Sequence, residues 1–234
     1  MGLSVGSLNY PHVVEEWATL LKVLDGKSIA RYGDGEFNLV RGGNCVSQRK
    51  VPGIQTELQN ILKSKDENLL VAIPRIDKRS PKNANWVKCC SHYGSYLHHG
   101  KTYYSAFITR PDSAPWIATD TYFDGIESLW AGKDITMVYG SQRSLSVEFP
   151  AMQSAKSITV VETDYAHTYP RIDSIERQIR HAGNKVVLLM CGPTATCLAA
   201  RLAGEFHAID LGHIGMWWRA HNNPKLVDQL RIIE

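Results

Sequence analysis

The sequence predicts an α/β fold with a mostly parallel sheet. Two observations carry this. Short apolar runs such as LLVAI (69–73), DITMVY (134–139) and KVVLLM (185–190) alternate with amphipathic stretches of helical period. The residues that carry chemistry cluster where such runs end, at GDGE (33–36), Gly140-Ser141, Cys191-Gly192-Pro193-Thr194 and Gly212-His213. Open parallel sheets bind ligands at that end of their strands. The 234 residues suit one domain spanning 1–234, with ample chain for a hydrophobic core.

Residues 10–24 (YPHVVEEWATLLKVL) place apolar side chains at helical spacing. Ser28–Arg31 reads as a strand entering the GDGE turn, and residues 35–41 begin a helix stopped by Gly42-Gly43. Residues 54–63 are amphipathic and helical, and 69–73 is a buried strand ended by Pro74. A helix over 83–99 sets Trp86, Cys90 and Tyr93 on one face. Residues 103–109 (YYSAFIT) favour a strand, and 122–130 a helix. Strands follow at 134–139 and 157–161. A helix over 172–181 then carries Arg180 and His181 in its last turn, with Gly183 just beyond. A buried strand (185–190), a helix (194–202) and a final strand (206–211) complete the pattern.

Composition excludes several classes. Hydrophobic residues make up 44% and charged residues 21%, an ordinary globular mix. A net charge of +3 gives no electrostatic case for a nucleic-acid partner. Arg75, Lys78, Arg79 and Lys82 read as a solvated loop rather than a polyanion site. Cys45, Cys89, Cys90, Cys191 and Cys197 are odd in number and lack zinc-ligand spacing, which suits a reduced cytoplasmic chain. No stretch has the roughly 20 apolar residues of a membrane helix. The first residues lack the basic start and apolar middle of a signal peptide, and they miss the myristoylation pattern. Peripheral membrane association stays open.

The densest chemistry is Arg31-Tyr32-Gly33-Asp34-Gly35-Glu36. Its glycines allow a sharp turn and close backbone approach to a ligand. In an extended or tightly turned segment, Asp34 and Glu36 point to the same side. Two such carboxylates read either as a solvated acidic turn or as a site for Mg2+ or Mn2+, hard cations that also hold substrate phosphates. Arg31 is placed to pair with a carboxylate or to grip a phosphate.

Gly192-Pro193-Thr194 suits a helix start, with Thr194 as N-cap and free amides facing an anion such as a diphosphate. Arg110 and Arg143 follow strands, where each reads equally as a structural residue or as a substrate or phosphate contact. Asp210 and His213 end the last strand, where either could supply a metal ligand, base or phosphate contact, though a lone His there reads first as structural. His98 and His99 are adjacent on the expected helix and read as surface residues. Trp217 and Trp218 read as core or interface packing ahead of sugar stacking, and a homodimer through exposed aromatics there is compatible with them.

Taken together, RYGDGEFNLV (31–40), YYSAFITRPD (103–112), LWAGKDITMVYG (129–140), VVLLMCGPTATCLAARL (186–202) and HAIDLGHI (207–214) resemble the glycosyltransferase family with the GT-D fold. That family was first catalogued as a domain of unknown function in bacterial adhesin and surface-polysaccharide glycosylation. The resemblance implies a Rossmann-like α/β transferase. It would move a hexose from a nucleotide-sugar donor, UDP-linked, to a glycan or to a lipid- or protein-linked saccharide. It also implies work in bacterial surface glycan assembly, with the enzyme cytoplasmic or at the inner face of the membrane.

The family's D-x-E motif, which engages metal and donor diphosphate, falls on Asp34 and Glu36, with Mn2+ or Mg2+ as the implied cofactor. Arg31 matches the arginine that opens the motif. By analogy Gly33, Gly35, Arg110, Gly192, Pro193 and Thr194 line the donor cleft, and His213 joins Asp34 and Glu36 in the catalytic set. One departure stands out. Ile214-Gly215-Met216-Trp217-Trp218-Arg219 replaces an acidic, aromatic run of the D-I-E-Y-E-W type, so acceptor recognition differs here. Asp112, Glu148, Asp164 and His213 all remain candidates for the base that activates an acceptor hydroxyl. Two rivals use the same residues: a metal-dependent phosphohydrolase or nucleotidyltransferase, and a non-catalytic nucleotide-sugar-binding module.

Overall fold

A computed structural model describes residues 10–140, 150–164 and 166–212, with Ile214, Trp218 and Asn222. Its strands are β1 (Val13–Val14), β2 (Ser28–Arg31), β3 (Leu69–Ile73), β4 (Tyr103–Ser105), β5 (Asp134–Gly140), β6 (Ser157–Thr163), β7 (Val186–Met190) and β8 (His207–Asp210). Its helices are α1 (Glu16–Leu24), α2 (Asp34–Val40), α3 (Ile54–Leu62), α4 (Asn83–Tyr93), α5 (Asp120–Glu127), α6 (Ile172–Ala182) and α7 (Pro193–Leu202). The eight strands form one sheet in the order β1-β4-β3-β2-β8-β7-β5-β6. Every pairing is parallel, so the expected α/β class holds in a stricter form.

Alternation along the strands feeds two cores. In β3, Val71 and Ile73 face a layer built on α2, α3, α6 and α7, where Phe37, Leu58, Ile175 and Leu198 are buried. Leu70 and Ala72 face the opposite layer, where Leu20 of α1 and Ile126 of α5 pack with Trp130. The central strands β2, β3, β7 and β8 carry few exposed positions, as expected of strands covered on both faces.

The structure redraws several boundaries. The apolar stretch 10–24 is not one helix. Val13 and Val14 pair with Tyr103 and Tyr104 as a short edge strand, and α1 starts at Glu16 with Glu15 as its cap, accepting from the Ala18 amide at 2.8 Å. Helix α4 ends at Tyr93, where the chain turns into a 3-10 segment, so His98 and His99 lie in a turn rather than on a helix. Strand β4 stops at Ser105, whose Oγ accepts from the Phe107 amide and starts a 3-10 turn over Ala106–Thr109. Gly183 closes α6 in the left-handed region (φ 74°), as its position after Arg180 and His181 predicts.

The basic loop is not simply solvated. Arg75 binds the buried Glu16 carboxylate at 2.7 Å, Arg79 and Arg75 share Asp77, and Lys82 reaches Asp112 at 2.7 Å. All five cysteines are free thiols. Trp218 packs edge-on to Phe123 with ring centroids 5.3 Å apart, which is core packing, while Trp217 lies outside the described residues. No helix among the described residues is long and apolar enough to cross a membrane.

Candidate functional site

A cleft opens at the carboxyl ends of β2 and β8, between the start of α2 and the start of α7. Its volume is about 180 Å³. Pockets that enclose a whole drug-sized ligand span roughly 300–1,000 Å³, so these walls enclose only part of a ligand of that size.

Arg31 forms the floor. It ends β2, only 8% exposed, and its Nη2 faces Asp210 Oδ1 at 3.4 Å. Nη1 donates to the Ala106 carbonyl at 3.0 Å and closely to Thr109 Oγ1. Its Nε is buried and has no hydrogen-bond partner among the described residues. Thus the carboxylate that Arg31 finds is Asp210, neighbour to it across the β2–β8 seam, rather than either acid of its own motif. Burial raises the Asp210 pKa, and the Arg31 charge opposes that rise.

Asp34 and Glu36 line the same cleft, but they reach it differently from the expected turn. They are the first and third residues of α2, a spacing that sends helical side chains to different sides. Asp34 is exposed at the rim. Glu36 folds back, and its Oε2 accepts the Gly33 amide at 2.7 Å, satisfying one free donor of the helix end. Burial, with the nearby Asp210 and Asp34 charges, pushes the Glu36 carboxyl up to about 7 despite that amide. Glu36 thus faces two like charges at this opening, and a cation there would relieve that repulsion.

Their oxygens are the donor type Mg2+ and Mn2+ prefer. Among the described residues, no group of three or more His, Cys, Asp or Glu side chains is arranged to hold a metal ion by itself. Mg2+ commonly uses one or two carboxylates plus substrate phosphates, so the donor set fits a cation shared with a bound diphosphate.

The remaining expected residues divide. Arg110 lines the cleft, steadied by Asp112 through bonds of 2.8 and 2.7 Å. Asp112 is thereby removed from the list of bases. Burial would raise its pKa, yet Arg110 and Lys82 hold it down to about 2. Asp164 bonds Arg171 at 3.1 Å and does not line the cleft. Gly192 lines the cleft in the left-handed region (φ 61°) and is itself the N-cap of α7. The expectation of Thr194 as N-cap is corrected accordingly. Pro193 takes the first helical position, and Thr194 is fully buried behind it with an unpartnered Oγ1. Neither side chain reaches the cleft. Ser141, Gln142, Arg143, Glu148 and His213 lie outside the described residues.

Sequence reasoning missed Ser47, Trp86 and Phe107 as cleft walls. Trp86 meets Phe107 with ring centroids 5.0 Å apart and donates to Ser113 Oγ at 3.3 Å. The sequence set it only on one helix face with Cys90 and Tyr93. Ser47 sits in a polar segment with no periodicity at all.

A family described as "Glycosyltransferase GT-D fold" matches residues 29–228. A curated relative, the probable glycosyl transferase Gly of Streptococcus gordonii, is 29% identical over 202 residues, covering 81% of this chain and 30% of the relative. The glycosyltransferase GlyD of Streptococcus pneumoniae serotype 4 (strain ATCC BAA-334 / TIGR4) is 26% identical over 200 residues, 80% of this chain and 25% of its own length. This chain thus spans under a third of the curated relatives it matches. Among solved structures, a domain of unknown function 1792 described as having a distinct glycosyltransferase fold superposes with a TM-score of 0.82 at 30% identity, covering 92% of this chain and 82% of that one. A structure described as a new glycosyltransferase from Streptococcus sanguinis gives 0.80 at 27% identity, over 91% and 85%.

Proposed function

The chain belongs to the glycosyltransferase GT-D fold family, and from that premise we propose that it transfers a sugar from a nucleoside diphosphate donor, UDP-linked, to a saccharide acceptor with help from Mn2+ or Mg2+. The observation that carries this reading is the composition of one cleft: Asp34, Glu36 and Asp210 on its walls, with Arg31 and Arg110 beside them. Breaking the anomeric bond leaves a diphosphate whose negative charge grows as the bond stretches. Arginines and oriented amides at the starts of α2 and α7 stabilise that charge. A cation held by Asp34 and Glu36 supplies Lewis-acid stabilisation of the same phosphates. Glu36 must then be ionised, so its raised pKa ties activity to pH.

The acceptor in this reading is a glycan or a lipid- or protein-linked saccharide of a bacterial surface. The base that takes its proton is drawn from Glu148 and His213, since Asp112 is held as an ion pair and Asp164 lies away from the cleft. A panel of nucleotide sugars, incubated with and without Mn2+, tests the proposal. Asp34→Ala and Glu36→Ala are each expected to lower transfer by at least about a hundredfold while circular dichroism shows a folded chain. Full activity of either variant in the presence of a chelator would sink the proposal. Release of phosphate or diphosphate without sugar transfer would favour a phosphohydrolase or nucleotidyltransferase instead.

A further inference from the structure

The polar segment 44–50 joins α2 to α3 and carries Ser47 into the cleft wall. The segment touches both helix starts that flank the cleft. A Cβ on Gly192 would come 3.1 Å from Ser47 Oγ, and one on Gly35 would come 3.4 Å from the Cys45 Cβ. It is braced internally, with the Cys45 amide on the Gln48 carbonyl at 3.0 Å and the Lys50 amide on Asn44 Oδ1 at 2.7 Å.

A second set of bonds ties it to the chain beyond β6. The His167 amide donates to the Ser47 carbonyl at 2.8 Å, and the Arg49 amide donates to His167 Nδ1 at 2.9 Å. The Tyr169 amide donates to Oε1 of the buried Gln48 at 3.1 Å. Tyr169 in turn donates its hydroxyl to Glu57, which also holds Arg201 of α7.

His167 has φ 61°, alone in the positive region among the described non-glycine residues. Such a backbone persists where surrounding bonds over-determine it, and it clusters at functional sites. Here it lets one residue use both its amide and its ring on either side of Ser47.

We propose that His167 is a positioning residue that clamps segment 44–50, so that the Ser47 hydroxyl meets a phosphate of the nucleoside diphosphate beside the start of α7. The proposal rests on the donor reading given above. Two facts point to a ligand at this place. Ser47 lines the cleft, where among the described residues its Oγ has only the weak partner Cys45 Sγ at 3.6 Å, and the cationic side chains of Arg31 and Arg110 line the same cleft.

Three variants test it: Ser47→Ala, His167→Ala and His167→Asn. Asparagine tolerates the left-handed backbone, and its side-chain oxygen replaces Nδ1 as acceptor. UDP with Mn2+ is the calorimetric probe, and donor KM and kcat are measured alongside. Loss of one hydrogen bond predicts about a fivefold weaker UDP affinity in each alanine variant. Donor KM rises by the same factor and kcat stays level. His167→Asn restores wild-type affinity, and hydrogen exchange at the Arg49 amide accelerates only in His167→Ala.

Unchanged UDP affinity in both alanine variants overturns the clamp, as does failure of His167→Asn to rescue a folded chain. Should the wild-type chain bind UDP with this variant pattern but transfer no sugar, the clamp stands and the transferase reading falls. Should it transfer sugar with UDP affinity indifferent to Ser47 and His167, the reverse holds.

Discussion

Gly212 and Arg31 occupy adjoining space at the end of β8. Gly212 has φ 54°, and a Cβ there would fall on Arg31 Nη2, which cannot retreat without giving up Asp210 or its neighbours. Gly212→Ala is therefore expected to cost about 1–3 kcal/mol in urea unfolding and to weaken UDP binding with it. An alanine variant of wild-type stability would show that Arg31 is not pinned. Glu36 supplies a pH prediction. Its folded pKa of about 7 exceeds the ordinary carboxyl value of 4.5, so the folded state binds more protons between those values. Stability then falls as pH rises through that window, by up to about 3 kcal/mol. Under the proposed metal site, affinity for Mn2+ is expected to rise over the same range, because a metal requires the ionised carboxyl. Glu36→Gln is expected to flatten the stability profile, measured by melting from pH 4.5 to 8. At this scale the sequence betrayed Arg31, Asp34 and Glu36 by residue type and spacing. It hid the pairing of Arg31 with Asp210, which lies 179 positions away and exists only because β2 and β8 are neighbours.

Elements were legible where periodicity was sustained and were misread where a long-range contact overruled it. Strands β3, β5 and β7 are continuous apolar runs and fell where expected, as did α3 and α6. The helical spacing of residues 10–24 concealed β1, because pairing with β4 outweighs the local preference of two valines that suit a strand equally well. The tie between α1 and the sheet was also invisible in sequence. Glu16 is wholly buried, yet its carboxylate accepts from Arg75, Trp116 and Ser105 at 2.7, 2.8 and 2.8 Å. Glu16→Ala leaves the Arg75 guanidinium without its buried partner and is expected to cost about 3–5 kcal/mol, read by denaturant titration. A loss below about 1 kcal/mol would mean the network is replaced by water.

Across the whole molecule, the parallel sheet and its two helical layers explain why one end of the sheet gathers every cleft residue. Strand ends of like polarity deliver α2 and α7 with their amide-rich starts side by side. Ligand binding there bridges elements from both halves of the chain. UDP with Mn2+ at about 100 times its dissociation constant is expected to add roughly 2.7 kcal/mol to stability, or several degrees in a thermal melt. UDP alone is expected to give less. No shift in either condition would contradict the assignment of the cleft. The strand order has a further consequence. β8 is the last of the described strands in sequence but lies fourth from the β6 edge, between β2 and β7. Without β8 the two half-sheets share no strand-to-strand hydrogen bonds and meet through packing and side-chain ties, such as α7 against β2 and Arg201 on Glu57. Completion of the cleft thus depends on one four-residue strand, which brings Asp210 to it.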